Sequence, residues 1–334
     1  MVSSQPRRSL AERAKGVARK LTRPGGGPVP AEPPGSSDLD RWLAPLFGGD
    51  LDRIEAGLDG AGPEGYAAFR DLDDDLWALL LTKEYEGWPG IRSFLPDLPE
   101  PALQQMWNGA SGPALAAQGV CFYRKLKEMQ DGHGTKPLRS ARVLDFGCGW
   151  GRLTRMLARD VEPGNLYACD PVERILDVCR ENRVAANLFR NEFLPDRLDV
   201  DEPIDLAFAF SVLTHVSERT ARATFDAVMD TLVPGGLFVF TIRPVAYLDL
   251  VPDLAAALAA EDIDRARFAT DPVYLFLAHS ADEHPQAAGD EMDYGESVIS
   301  LPWIEGNFGT AAELVDVSVM VGDIYQVVVT MRKK

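Results

Sequence analysis

The sequence predicts an α/β fold built on a doubly wound, mostly parallel sheet and preceded by a helical region. Three observations carry that prediction. From residue 141 onward, short apolar runs alternate with helix-patterned segments. The first apolar run ends in a glycine-rich loop, Gly147-Cys148-Gly149-Trp150-Gly151. Two closing apolar runs stand only a few residues apart, too close for a crossover, and so predict an antiparallel hairpin.

Taken in order, residues 1–37 read as a tail. Leu10, Ala14, Val17, Ala18 and Leu21 fall on one helical face among basic residues, and Pro24–Ser37 is a linker rich in Gly and Pro. The expected roles are a solvated, disordered extension or a weak contact with an anionic membrane surface or an acidic partner. Residues 38–136 predict a helical cap. Trp42, Leu43, Leu46 and Phe47 are spaced for one face, as are Leu72, Leu76, Leu79 and Leu80, and a further helix is expected over about 112–130. Prolines at 89, 96, 99 and 101 divide the region.

The sheet domain is expected over 137–334. Ala141–Phe146 is the first strand and Arg152–Ala158 a helix. Leu166–Cys169 is the second strand, followed by a helix carrying Ile175–Cys179, and Leu188–Arg190 is a weaker third strand. Ile204–Phe210 is nearly continuous in apolar residues, as a strand buried on both faces should be. Ser217 can cap the next helix, in which Phe225, Val228, Met229 and Leu232 share a face. Pro234-Gly235-Gly236 turns into a fifth strand, Leu237–Ile242. The alternation then lapses over 244–310, an insert with an Ala-rich helix at about 253–268 and an apolar run at Val273–Ala278. Leu314–Met320 and Tyr325–Met331 form the closing hairpin.

Composition narrows the function classes. The chain has 334 residues, 46% hydrophobic and 25% charged, which is ordinary for a globular protein. Its net charge of -17 argues against a nucleic-acid partner. That figure averages over a basic start: residues 1–30 hold Arg7, Arg8, Arg13, Lys15, Arg19, Lys20 and Arg23 against Glu12 alone. The four cysteines form no C-x-x-C pair and the four histidines do not cluster with them, so reduced thiols, a cytoplasmic setting and no metal site are expected.

The glycine loop is the first chemical signal. A glycine turn between a strand and a helix lets a ligand approach the backbone. Dinucleotide sites use G-x-G-x-x-G, whereas here the spacing is G-x-G-x-G and Arg152 stands where the third dinucleotide glycine would be. Asp145 lies inside the turn, where an acid opposes a pyrophosphate and suits a cationic or amine-bearing ligand. Asp170 ends the second strand, where an acid accepts hydrogen bonds from ribose hydroxyls.

This constellation resembles the class I S-adenosylmethionine-dependent methyltransferases. Val143–Arg152 matches the family's first motif, Asp170 its ribose acid, Asp205–His215 its fourth-strand motif and Leu232–Leu237 the turn before its fifth strand. The stretch from Pro99 to Leu103, with Gly109, Gly112 and Gly119, is similar to the N-terminal cap of a bacterial small-molecule or glycan-type subgroup. The resemblance implies a seven-stranded Rossmann-like sheet with an antiparallel last strand, and S-adenosylmethionine as cofactor. It further implies that Asp145 holds the amino end of the methionine moiety and that Gly147, Cys148 and Gly149 pass against the cofactor. Asp170 would bind ribose with Pro171 beside the adenine, Asn191 or Glu192 would face the adenine edge, and Phe210 and Ser211 would close the floor.

Methyl transfer from a sulfonium is an in-line displacement, so a protein mainly positions the acceptor and excludes water. A hydroxyl acceptor gains from a base, and His215, five residues past Phe210, is the candidate; its alternative role is to order the loop before the Ser217 helix. In the insert, His279, Asp282, Glu283, His284, Tyr294 and Glu296 lie where the acceptor pocket can be shaped, most of them reading as a solvated acidic loop, with Tyr294 and Trp303 the candidate pocket walls. The expected activity is methylation of a small-molecule or glycan-type acceptor, oxygen preferred. Two other readings compete: a cofactor-binding regulatory or assembly protein without turnover, and an NAD(P)-dependent oxidoreductase.

Overall fold

The computed structural model describes residues 36–260, 263–280 and 292–334. The expected tail and linker before residue 36 lie outside these, as do Asp282, Glu283 and His284. Among the described residues the strands are β1 (Val143–Phe146), β2 (Leu166–Asp170), β3 (Asn187–Arg190), β4 (Ile204–Ala209), β5 (Leu232–Ile242), β6 (Tyr274–Ala278), β7 (Gly295–Ile299), β8 (Ala312–Met320) and β9 (Asp323–Lys333). Seven of them form one sheet in the order β3-β2-β1-β4-β5-β9-β8, while β6 and β7 make a separate two-stranded ribbon. β1 to β5 pair in parallel, and β9 runs antiparallel to both β5 and β8. The doubly wound sheet with an antiparallel last strand is therefore present. The strand order reverses beside β1, which places β1 and β4 on either side of the crevice where such sheets bind ligands.

The helices are α1 (Ser36–Gly57), α2 (Asp74–Thr82), α3 (Pro89–Phe94), α4 (Pro101–Asn108), α5 (Gly112–His133), α6 (Thr154–Leu157), α7 (Glu173–Glu181), α8 (Glu218–Thr231), α9 (Pro252–Ala260) and α10 (Leu301–Phe308). Their starts follow the local chemistry. Asp73 accepts from the N–H groups of Asp75 and Leu76 at the head of α2, and Ser217 accepts from Thr220 N at the head of α8. One face of the sheet packs in a continuous core with the cap: Phe69, Trp77, Leu80, Ile91 and Phe122 join Leu157, Leu206, Phe208 and Val239. The opposite face is covered by α8 and α10 through Phe225, Val228, Trp303 and Phe308.

Polar groups fasten the cap to the sheet domain. Arg159, 1% exposed, donates to Phe69 O (3.1 Å) and Leu72 O (2.8 Å), and pairs with Asp74. Trp77 Nε1 donates to Met156 O at 2.9 Å. A buried guanidinium whose hydrogen-bond acceptors are carbonyls of another segment ties the two together, because separating them would strip a buried charge of Asp74 and of those carbonyls, with Asp160 at 3.8 Å remaining.

Several local expectations need correction. The helix expected over Arg152–Ala158 is a single turn, Thr154–Leu157, since Gly151 holds a positive φ of 78° and delays helical geometry. The Ala-rich helix ends at Ala260, and a 3-10 turn, Arg265–Ala269, capped by Asp264, follows. On α1 the buried stripe is Leu43 and Leu51, whereas Trp42 and Leu46 are exposed. No helix among the described residues is long and apolar enough to cross a membrane.

Candidate cofactor and acceptor site

The glycine loop leaves β1 through three left-handed positions, Gly147 (φ 73°), Gly149 (φ 54°) and Gly151 (φ 78°). Side-chain-bearing residues rarely adopt that conformation, so the G-x-G-x-G spacing is what the turn demands. The N–H groups of Gly147 and Cys148 donate to Cys169 O at 2.8 and 2.9 Å and bind the loop to the end of β2. Asp170, which closes β2, accepts from Gly149 N (3.0 Å) on one oxygen and from Val172 N (2.9 Å) on the other. Each oxygen keeps a lone pair for a further donor. Burial pushes the Asp170 carboxyl up to about 6 despite those two bonds.

Asp145 on β1 is 2% exposed and accepts from Thr154 Oγ1 at 2.6 Å. Its burial drives the carboxyl up to about 7; the Thr154 bond and Arg152 oppose the rise and the charge of Asp170 adds to it. Two acids at the carboxyl ends of neighbouring strands thus sit in a low-dielectric cleft, where they favour a cation or a donor-rich ligand. Arg152 is also buried. Its Nη1 donates to Gln118 Oε1 at 2.8 Å, its guanidinium lies 5.0 Å over the Phe210 ring, and among the described residues no carboxylate comes within 4.0 Å of it. Burial pulls its pKa down to about 10.

At the end of β4, Ser211 is one of few non-glycine residues with positive φ (60°). The conformation is held by Ser211 N donating to Thr241 Oγ1 (2.8 Å) and by Gln326 Nε2 donating to Ser211 Oγ (3.1 Å). Strain of this kind concentrates at working sites. After β3 the two adenine-edge candidates separate. Asn191 is buried, and Glu192 is exposed. Asn191 Nδ2 donates to Glu192 O at 2.8 Å, and its Oδ1 is buried without a partner among the described residues. An acceptor left so costs about 1–3 kcal/mol until a donor arrives.

Residues 143–236, which contain this cradle, match the family model of a methyltransferase domain. By that match the segment is a methyltransferase domain. A ubiquinone biosynthesis O-methyltransferase from Xylella fastidiosa (strain 9a5c) is 35% identical over 112 residues, covering 32% of this chain and 44% of that protein. One from Methylocella silvestris is 28% identical over 189 residues, covering 55% of this chain and 65% of that protein. The chain therefore spans less than two thirds of the length of these curated relatives. Among solved structures, an S-adenosylmethionine-dependent methyltransferase from Clostridium acetobutylicum matches with a TM-score of 0.46 at 13% identity, over 70% of this chain and 96% of that one.

The insert docks on the methyltransferase domain beside the carboxyl end of β4. Its β7 segment runs along the loop after β4: Gly295 N donates to His215 O (2.8 Å), Ser297 N to Thr214 O (2.9 Å), and Ser217 N to Asp293 O (3.0 Å). This ladder carries Tyr294 and Glu296 to His215. The Tyr294 ring stacks on the imidazole, with centroids 5.5 Å apart and planes at 12°. Glu296 pairs with Arg243 at the end of β5 and lies 3.7 Å from His215 Nδ1 and 3.5 Å from His279 Nε2. Tyr247 Oη donates to Glu296 at 3.1 Å, and Arg243 lies 4.0 Å over the Tyr247 ring.

Two expectations about the insert change. Glu296 and His279 are not solvated; their side chains are 18% and 15% exposed and meet in this cluster. Trp303 is 3% exposed and belongs to the α10 core, edge-on to Tyr274 and Phe308. Sequence reading also passed over Arg243, Tyr247 and Gln326. Arg243 left a usable trace, a cation directly after an otherwise buried strand and before Pro244.

Proposed function

We propose that this protein transfers the methyl group of S-adenosylmethionine to a hydroxyl of a small-molecule acceptor, glycan-type metabolites included. The cradle carries the reading: three left-handed glycines flanked by Asp145 and Asp170, both buried at the ends of adjacent strands. When bound, the cofactor supplies a methyl group already activated on a sulfonium. Asp170 would accept from the ribose hydroxyls, and the buried Asn191 Oδ1 would accept from the adenine amine, with Pro171 alongside. Asp145 would face the amino end of the methionine moiety, and Arg152, without a carboxylate partner among the described residues, its carboxylate. Gly147, Cys148 and Gly149 would give the close backbone approach, with Phe210 and Ser211 as the floor.

On the acceptor side, Tyr247 and Tyr294 would wall the pocket and His215 would take the proton of the acceptor hydroxyl. The names of the curated relatives, both O-methyltransferases, support oxygen as the acceptor atom. The test is incubation with isotopically labelled S-adenosylmethionine and a metabolite extract, read by mass spectrometry. A labelled methyl ether is expected. Cofactor binding with no labelled product in any extract would favour the regulatory reading. His215→Ala should lower turnover at least tenfold while cofactor affinity stays within twofold; unchanged turnover would remove His215 as the base.

A further inference from the structure

The contacts of His215 define which of its nitrogens holds a proton. A guanidinium has only donors, so the 2.9 Å contact of Arg243 Nη2 with His215 Nε2 makes Nε2 the acceptor. The proton of the neutral ring then resides on Nδ1, which donates to Gly295 O at 2.8 Å. The lone pair a base would use is thus aimed at a cation, and that cation is 7% exposed and paired with Glu296. Protonating Nε2 in place would set two positive groups in contact. Glu296, 3.7 Å from Nδ1, acts in the other sense because its negative charge favours the imidazolium.

The other titratable groups facing this cluster are Tyr294, stacked on the imidazole, His279, edge-on to Tyr294 and 3.5 Å from Glu296, and Tyr247 under Arg243. Asp323 acts on Arg243, and Asp170 on Tyr294, through longer-range electrostatics.

We propose that Arg243 and Glu296 are positioning residues that set the basicity of His215 in opposite directions, and that the acceptor hydroxyl takes the place of Arg243 at Nε2. This rests on His215 being the base. In the step so framed, the acceptor O–H bond breaks as the proton passes to Nε2 and the methyl–oxygen bond forms as the methyl–sulfur bond breaks. The sulfonium becomes a neutral thioether, and the imidazolium returns its proton to solvent after release.

The experiment is nitrogen NMR of histidine-15N-labelled full-length protein, with the His215 signals assigned by their loss in His215→Ala. In the wild type the Nδ1–H tautomer is expected. Arg243→Gln should raise the titration midpoint of His215 by about 1 pH unit or more, and Glu296→Gln should lower it by a similar amount. Arg243→Lys, which keeps the charge, should return the midpoint toward the wild-type value. An Nε2–H tautomer in the wild type overturns the proposal without any variant. Midpoints that move together, or not at all, overturn it as well. The acid limb of the kcat/KM profile should follow the same two directions. A His215→Ala enzyme with normal turnover would remove the base and the role drawn here, even with the titrations as expected, so the two failures are told apart.

Discussion

Replacing Asp145 with Asn should exchange cofactor affinity for stability, in a way that depends on pH. Asp145 is 2% exposed, and burial raises its carboxyl from 3.8 to about 7. The folded protein therefore holds this proton more tightly than the unfolded chain. The stability it contributes is full below pH of about 4 and is lost as pH rises to about 7. A rise of roughly 3 pH units corresponds to about 4 kcal/mol at pH 8.5, at about 1.4 kcal/mol per unit. Asparagine removes that charge and still offers an oxygen to Thr154 Oγ1, which now donates at 2.6 Å. Its amide hydrogens lack the carboxylate's partner pattern, at a cost of about 1–3 kcal/mol at every pH. The net expectation is a variant more stable than wild type by about 1–3 kcal/mol at pH 8.5, with that advantage shrinking by roughly 2–3 kcal/mol at pH 5 and reversed at pH of about 4. Thermal melts across that range, with roughly 2 °C per kcal/mol, should show the two curves crossing. Melting temperatures that differ by the same amount at pH 5 and pH 8.5 would refute the claim that a desolvated charge sits at Asp145.

Other outcomes follow from the same geometry. Asp170→Ala should weaken S-adenosylhomocysteine binding about 10- to 100-fold by calorimetry, from the loss of charged hydrogen bonds to ribose; unchanged affinity would overturn the ribose assignment. Gly147→Ala should lower the melting temperature and reduce cofactor binding, since a Cβ there would stand 2.4 Å from Val212 Cγ2 at a φ of 73°; a wild-type melt would refute the turn argument. Removal of residues 1–35, which include the seven basic side chains, should leave cofactor affinity unchanged; loss of affinity would bring that segment into the site.

The cradle was legible because it is local. Its glycine spacing, its two acids and the β4 end each lie within a few residues of a strand boundary, where chain direction alone decides what faces the crevice. The cluster around His215 was not, because Glu296 reaches it through backbone pairing between segments some 80 residues apart, Gly295 with His215. No periodicity within the insert announces that pairing. Trp303 shows the converse error: an aromatic in an insert looks like a wall of a pocket, yet Ser300 caps α10 and turns that ring into the core against Phe308. Asn191 and Glu192 stood level in the sequence as neighbours after β3, and only their burial separates them.

Arg159 also bears on where this protein can be divided. The family match begins at Val143, yet the guanidinium just beyond α6 is coordinated by the carbonyls of Phe69 and Leu72 and by Asp74, and Trp77 closes over the same turn. The matched segment is therefore a unit of homology and not a unit of folding. A chain begun near residue 137 would leave Arg159 with Asp160 at 3.8 Å but without Asp74 and the two carbonyls, and an apolar face stripped of Phe69, Trp77 and Phe122. Chimeras that graft this glycine loop onto another acceptor module need their junction before α1, not at the sheet.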